Sequence, residues 1–386
     1  MKSIKSLKNL KNKRVLVRVD YNVSLKNGKI VDPARILASV PTIEYLLKVG
    51  AQVILLAHLG RPNGQIVPEL SLQPIAKYLA KILGRSVKFV DSMTKDERLV
   101  VKDKLVMLEN IRFYAGEEKN DKIFTKQLAS LADIFVLDGF GVAHRSSASV
   151  TGLTKYLPSY AGLLLEKEVQ TLGKIMSKPK APFLLFVGGA KMETKVPVLK
   201  KLSTKTDLIF LGGGVANTFW AAQGFGVGKS LVDAKYGTLL KQLSKKYDVI
   251  YPLDVIVGNL AGTKFRTVEV GNTPHQICAV DEGIYDVGPK TIKALEFYFK
   301  SAQTILWNGA MGMMEQKSYA GGSLALARAI VKNSSAKCLT VAGGGETLAA
   351  INQAKVSQKF RFISTGGGAM LEFLSGKKLA GIVNLK

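Results

Sequence analysis

The chain has 386 residues, 47% of them hydrophobic, with 55 lysines and arginines against 29 acidic residues, a formal net charge of +26. No run of about 18 apolar residues occurs, which excludes a transmembrane helix and argues against a membrane partner; the basic start Met1–Lys11 lacks the apolar stretch of a secretory signal. Cys278 and Cys338 have neither metal-ligand nor disulfide spacing and read as buried thiols of a reducing cytoplasm.

This length exceeds what one core usually serves, so two domains are expected. The charge favours anionic partners, but most of it is lysine scattered over loops and helix faces, which reads as solvated surface. Arginine is distributed differently: eight of eleven arginines precede residue 150. Its planar fork suits bidentate recognition of carboxylate or phosphate.

In chain order, Arg14–Val19 predicts a strand, Ala38–Val49 a helix and Gln52–Ala57 a strand. A helix opened by Pro74 runs to Leu83, where Gly84 stops it. Strands follow at Leu105–Leu108 and Ile134–Leu137, then a helix over Leu163–Ser177, closed by Lys178-Pro179. Strands separated by helices imply βαβ units and parallel sheets. Beyond residue 180, five apolar runs end abruptly in glycine: Phe183–Val187, Leu208–Leu211, Thr304–Trp307, Cys338–Ala342 and Phe360–Ile363. Buried strands whose carboxyl ends turn through bare main chain line up the rim where α/β sheets bind ligands, and point to a nucleotide. Gly224-Phe-Gly-Val-Gly228-Lys229-Ser230 resembles a phosphate-binding loop, but Gln223 replaces its first glycine and a helical stretch precedes it. It reads as a helix-terminating turn.

Four segments of the first half carry chemistry. Asp20 and Asn22, two apart, either hold a hydroxylated ligand or stabilise an Asx turn. His58-Leu-Gly-Arg61, Glu109-Asn-Ile-Arg112 and Asp138…His144-Arg145 each follow a predicted strand. With Arg35 they make a basic cradle for a phosphorylated carboxylic acid. In the second half, a helix starting near Ala190 would put Lys191 and Lys195 on one face beside a phosphate-binding N-terminus. Glu346 and Thr347 open another helix; they either cap it or engage a magnesium ion and a phosphate oxygen.

Taken in order, Arg18-Val-Asp-Tyr-Asn22, Pro41-Thr-Ile43, His58–Gly64, Glu109–Arg112, Ala143-His-Arg145, Gly188-Gly-Ala-Lys191, Leu211–Gly214, Trp307-Asn-Gly309, Gly343–Thr347 and Ser364–Ala369 resemble phosphoglycerate kinase over nearly the whole chain. The resemblance implies an α/β fold of two doubly wound, Rossmann-like parallel-sheet domains. It implies residues 1–162 as a phosphoglycerate-binding domain to which 374–386 return, 163–178 as an interdomain helix, and 179–373 as a nucleotide-binding domain. It implies Mg2+-dependent, reversible phosphoryl transfer between ATP and the carboxylate of 3-phosphoglycerate, giving 1,3-bisphosphoglycerate and ADP, in a cytoplasmic, hinge-bending glycolytic enzyme.

By matching position, Asp20, Asn22, Arg35, His58, Arg61, Arg112 and Arg145 would bind phosphoglycerate. Gly189, Lys195, Gly212, Gly213, Asn308, Glu315, Gly344, Gly345, Glu346 and Thr347 would bind the nucleotide, with Glu346 toward the metal. Lys191 and Arg35 would stabilise the phosphoryl group in flight. The chain departs from the family pattern at Tyr21, Ser24, Ala310, Met314 and Glu346, the last standing where aspartate is usual. A nucleic-acid-binding protein is the alternative from charge alone; no recognised nucleic-acid motif occurs, and no specific nucleic-acid partner is expected. A regulatory protein without catalysis would be expected to lack Arg35 or Lys191, and both are present.

Overall fold

The computed structural model describes residues 1–92 and 103–385. The chain divides into two compact units, Met1–Gln170 with Lys377–Lys386, and Thr171–Gly376.

In the first unit, β1 (Arg14–Arg18) leads to a hairpin of β2 (Leu25–Lys26) and β3 (Lys29–Ile30), then α1 (Ala34–Lys48), β4 (Gln52–Leu56) and α2 (Gln73–Leu83). β5 (Lys88–Val90), β6 (Leu105–Leu108), α3 (Ala115–Glu118), α4 (Lys122–Ser130), β7 (Ile134–Leu137) and β8 (Ser159–Ala161) follow. The strands form one sheet, ordered β5-β6-β4-β1-β7-β8, and every pairing is parallel. Near-continuous apolar runs supply it, as sheets covered on both faces require. Alternate residues Val15, Val17, Val53 and Leu55 pack into one core with Ile43 and Leu46 of α1.

Helix α1 begins four residues before the expected Ala38. The start signal is Asp32-Pro33: the Asp32 carboxylate accepts the Ala34 amide at 2.9 Å, and proline precedes the first turn. Arg35 therefore sits in that turn, and Pro41 is carried inside the helix.

Helix α5 spans Leu163–Ser177, and the division between units falls within it, after Gln170. Its first amides are satisfied by distant side chains. Thr42 Oγ1 accepts from Leu163 and Asp138 Oδ1 from Leu164, both at 2.9 Å.

The second unit opens with β9 (Phe183–Val187), α6 (Met192–Leu202), β10 (Leu208–Leu211), α7 (Gly213–Gln223), α8 (Gly237–Lys246) and β11 (Val249–Ile250). An antiparallel sheet of β12 (Asp254–Gly258), β13 (Phe265–Glu269) and β14 (Gly283–Val287) comes next. The chain continues through α9 (Pro289–Ser301), β15 (Thr304–Asn308), α10 (Gly321–Asn333), β16 (Leu339–Gly343), α11 (Gly345–Gln353), β17 (Phe362–Ser364) and α12 (Gly368–Leu374). The main sheet, β11-β10-β9-β15-β16-β17, is parallel throughout. The chain walks outward from β9 on one side, then returns to lay β15 on the other. That reversal opens a crevice between the carboxyl ends of β9 and β15.

The five glycine-ended runs all become strands of this sheet, with ends shifted by up to two residues. Gly224 terminates α7 in the left-handed region at φ 93°, as expected of the false phosphate loop. The three-stranded antiparallel sheet was not anticipated; β13 is mostly exposed and shows no apolar alternation. After Gly376 the chain joins the first unit, where α13 (Ala380–Val383) places Gly381 N 2.8 Å from the Ala143 carbonyl. No helix among the described residues is long and apolar enough to cross a membrane.

Burial pushes the Asp138 carboxyl up to about 7, against the opposing pull of the Leu164 amide. The native state thus keeps a proton that the unfolded chain releases near pH ~4, so the stabilisation is full below that value and is lost as pH rises to 7. Relative to Asp138→Asn, the natural protein should lose up to about 1.4 kcal/mol per pH unit across this window and no more above it. Urea unfolding of both proteins at stepped pH measures this; a difference independent of pH contradicts it.

Candidate functional site

The carboxyl edge of the first sheet gathers the arginines. After β1, the Asp20 carboxylate accepts the Asn22 amide at 3.1 Å and pairs with Arg35 at 3.2 Å. Arg35 also donates to the Asn22 carbonyl at 3.0 Å. The Asx turn is therefore formed at Asp20, and the same carboxylate holds the arginine. Asn22 Oδ1 takes the Gly60 amide at 3.0 Å, and Arg112 Nη1 donates to the Gly60 carbonyl at 2.7 Å. The loop after β4 is thus gripped from two other strand ends.

Asn110 completes the grip by donating to the carbonyls of Leu59 and Leu70 at 2.7 and 2.9 Å. Arg112 is buried and also pairs with Glu118 at 3.3 Å. Arg61 is exposed and Arg145 half-buried. Both lie near enough to press the Arg112 pKa downward, after burial, which is the larger cause.

Behind this rim, His58 is joined to a buried charge chain of Arg18, Ser149 and Glu117, none of which sequence reasoning placed in the site. Arg18 donates through Nε to Ser149 Oγ at 2.8 Å, through Nη1 to the Val19 carbonyl, and through Nη2 to His58 Nδ1 at 3.1 Å. Buried Glu117 accepts the Ser147 and Ser149 hydroxyls at 2.7 and 2.6 Å and the Ser149 amide at 2.9 Å. Burial, then the charges of Arg18, Arg112, Arg145 and Arg35, hold the His58 pKa well below the usual imidazole value. One signal was available: Arg18 is a charge inside an otherwise apolar strand run.

In the second unit, a cleft of about 380 Å³ lies at the reversal between β9 and β15. Among the expected nucleotide residues, Gly189, Lys195, Asn308, Gly344, Gly345, Glu346 and Thr347 line it, together with Lys191. Gly212 and Gly213 lie at the end of β10, where a Cβ on Gly213 would come within 3.0 Å of the Gly189 amide. They are outside the lining, as is exposed Glu315, which follows β15.

Helix α6 begins at Met192, two residues after Ala190, and Lys191 is its non-helical N-cap residue. Gly189 turns at φ 78° to give its amide to the Ala310 carbonyl at 2.7 Å, so the chain must clear β15 before it can coil. Lys191 is therefore exposed ahead of the helix while Lys195 is buried one turn in, and both line the cleft.

Lys195 donates to Asn308 Oδ1, and Asn308 Nδ2 donates to the Gly343 carbonyl at 2.7 Å. Thr347 does not cap its own helix; its hydroxyl accepts the Gly309 amide at 2.7 Å and ties β15 to α11. Burial lowers Lys195 to about 8, and Glu346 partly restores it. The cleft thus offers bare amides, the first turns of α6 and α11, two lysines and one carboxylate.

A phosphate-type cleft at a Rossmann reversal in one unit and an arginine rim in the other define the class: a two-unit α/β kinase. The family model for phosphoglycerate kinase matches residues 4–377. A phosphoglycerate kinase from Moorella thermoacetica is 44% identical over 97% of both chains. The structure of phosphoglycerate kinase from Coxiella burnetii superposes with a TM-score of 0.85 at 38% identity, over 99% of this chain and 98% of that one. The crystal structure from Pyrococcus horikoshii OT3 gives 0.84 at 29% identity, over 100% and 98%. The chain belongs to the phosphoglycerate kinase family.

A polyanion in the cleft favours charged Lys195. ADP binding at pH 8 should therefore take up about half a proton. Calorimetry in buffers of different ionisation enthalpy reads this uptake, and Lys195→Arg, always charged, should abolish it. Equal uptake by the variant contradicts the assignment.

Proposed function

We infer that the chain transfers a phosphoryl group reversibly between ATP and the carboxylate of 3-phosphoglycerate, giving 1,3-bisphosphoglycerate and ADP. Family membership supports the reaction, and the observation that carries the site reading is the amide- and lysine-lined cleft at the β9/β15 reversal.

Asp20, Asn22, Arg35, His58, Arg61, Arg112 and Arg145 bind phosphoglycerate. Four of them, Asp20, Asn22, Arg35 and Arg112, are joined directly or through Gly60 in one hydrogen-bonded rim, and the remainder, His58, Arg61 and Arg145, add a donor and two charges. Gly189, Lys195, Asn308, Gly344, Gly345 and Thr347 receive the nucleotide phosphates. Gly212, Gly213 and Glu315 meet the nucleotide away from them.

The acceptor is already an ionised carboxylate, so no side chain must remove a proton. Catalysis is positioning and charge neutralisation. Lys191, exposed at the mouth of the cleft, and Arg35 neutralise charge on the phosphoryl group as it passes. Transfer requires the reacting atoms in line and dry, so the reading includes hinge closure of the units during the cycle.

The donor set suits magnesium held chiefly by phosphate oxygens: Glu346 is the acidic residue of the lining, and no cluster of three or more metal-type side chains occurs among the described residues. Glu346 would engage that ion, which when bound supplies neutralisation of phosphate charge. The proposed setting is the cytoplasm, in keeping with the buried free thiols Cys278 and Cys338.

A coupled assay with 3-phosphoglycerate, ATP and magnesium should show turnover that chelation abolishes; none from the natural protein would overturn the reading. Lys191→Ala should lower kcat about 100- to 1,000-fold with little change in nucleotide affinity. A large affinity loss at unchanged kcat would refute its transfer role.

A further inference from the structure

Arginine has only donors, so the contact of Arg18 Nη2 with His58 Nδ1 at 3.1 Å requires that Nδ1 accept. The ring proton then resides on Nε2, which has no hydrogen-bond partner among the described residues. Arg18 itself cannot swing away. Its Nε is held by Ser149, its Nη1 by the Val19 carbonyl, and it is 2% exposed.

Ser149 is fixed in turn. Its hydroxyl proton goes to Glu117, leaving a lone pair for Arg18, and its amide donates to the other Glu117 oxygen. Glu117 is thereby the buried counter-charge of Arg18, acting through a serine.

We propose that Arg18, locked by Ser149 and Glu117, is a positioning residue that fixes His58 as the neutral Nε2–H tautomer, making it a directed hydrogen-bond donor to the anionic substrate and not a second charge. The proposal deepens the phosphoglycerate-binding reading and rests on it. The charged groups acting on His58 agree: Arg18, Arg112, Arg145 and Arg35 all oppose an imidazolium. Of the nearby carboxylates, Asp20 is paired with Arg35, and Glu117 is engaged by two serines. A protonated ring would also have to turn Nδ1–H against a guanidinium.

The test is a long-range proton–nitrogen spectrum of the imidazoles in the full chain, with His58 identified by its loss in His58→Gln. The expected spectrum shows the Nε2–H tautomer unchanged from about pH 5.5 to 8.5. In Ser149→Ala the tautomers should mix, and the KM for 3-phosphoglycerate should rise about tenfold while that for ATP stays within about twofold. A titrating imidazolium or an Nδ1–H ring in the natural protein overturns the proposal, as does a Ser149→Ala protein unchanged in both readouts. The natural protein's spectrum decides the matter even where the variant does not fold. Because it is recorded without substrate, a wrong tautomer in an active enzyme sinks only this proposal, whereas absent turnover sinks the kinase reading.

Discussion

Gly188 and Gly309 approach backbone to backbone, and a Cβ on either would run into main-chain oxygen of the other's segment. This contact holds the carboxyl ends of β9 and β15 together at the point where the sheet reverses direction. The amides of Gly188 and Gly189 are then satisfied by the Asn308 and Ala310 carbonyls. The first turn of α6 and the first turn of α11 are left facing one cleft. A side chain at either glycine would separate the strands and with them Lys195 from Asn308. The cleft therefore depends less on its charged residues than on the absence of two methyl groups.

The two units solve the problem of holding positive charge in different ways. In the second, a single buried lysine is steered by an amide oxygen, and its desolvation is offset only in part by Glu346. In the first, guanidinium groups crowd close enough to depress one another's pKa values. Three of them are anchored: Arg35 by the buried carboxylate of Asp20, Arg112 by the Gly60 carbonyl and exposed Glu118, and Arg18 by Ser149 backed by buried Glu117. Arginine suits this task because its several donors can be divided between anchor and ligand, and its charge survives burial. Both arrangements are pre-set for anions, which is what a reaction governed by positioning and charge requires.

Much of this was legible from local pattern. Apolar runs ending in glycine marked the strands of the second sheet, and the limits of α5 at Leu163 and Ser177 follow from its flanking signals. Lys195, Asn308, Glu346 and Thr347 could be singled out as types in suggestive places. Their contacts could not, because Lys195 meets Asn308 113 positions along the chain, through strand order alone. The start of α6 falls two residues after Ala190 because the Gly189 turn is set by Ala310, another distant residue. Arg18 was hidden for the opposite reason: it sits in a strand run whose apolar neighbours dominate the pattern, and its partners Ser149 and Glu117 carry no local motif. β13 escaped notice because an exposed strand has no alternation to display.

The central claim is that the two anionic substrates are received by two different units, the nucleotide by the β9/β15 cleft and phosphoglycerate by the arginine rim. Amide chemical-shift mapping of the full chain, with ADP and 3-phosphoglycerate added separately, tests it most directly. ADP should move Gly189, Lys191, Lys195, Asn308 and Gly344–Thr347 and leave Asp20, Gly60 and Arg112 in place, while 3-phosphoglycerate should do the reverse. Perturbation of the arginine rim by ADP alone, or of one unit by both ligands, would contradict the account.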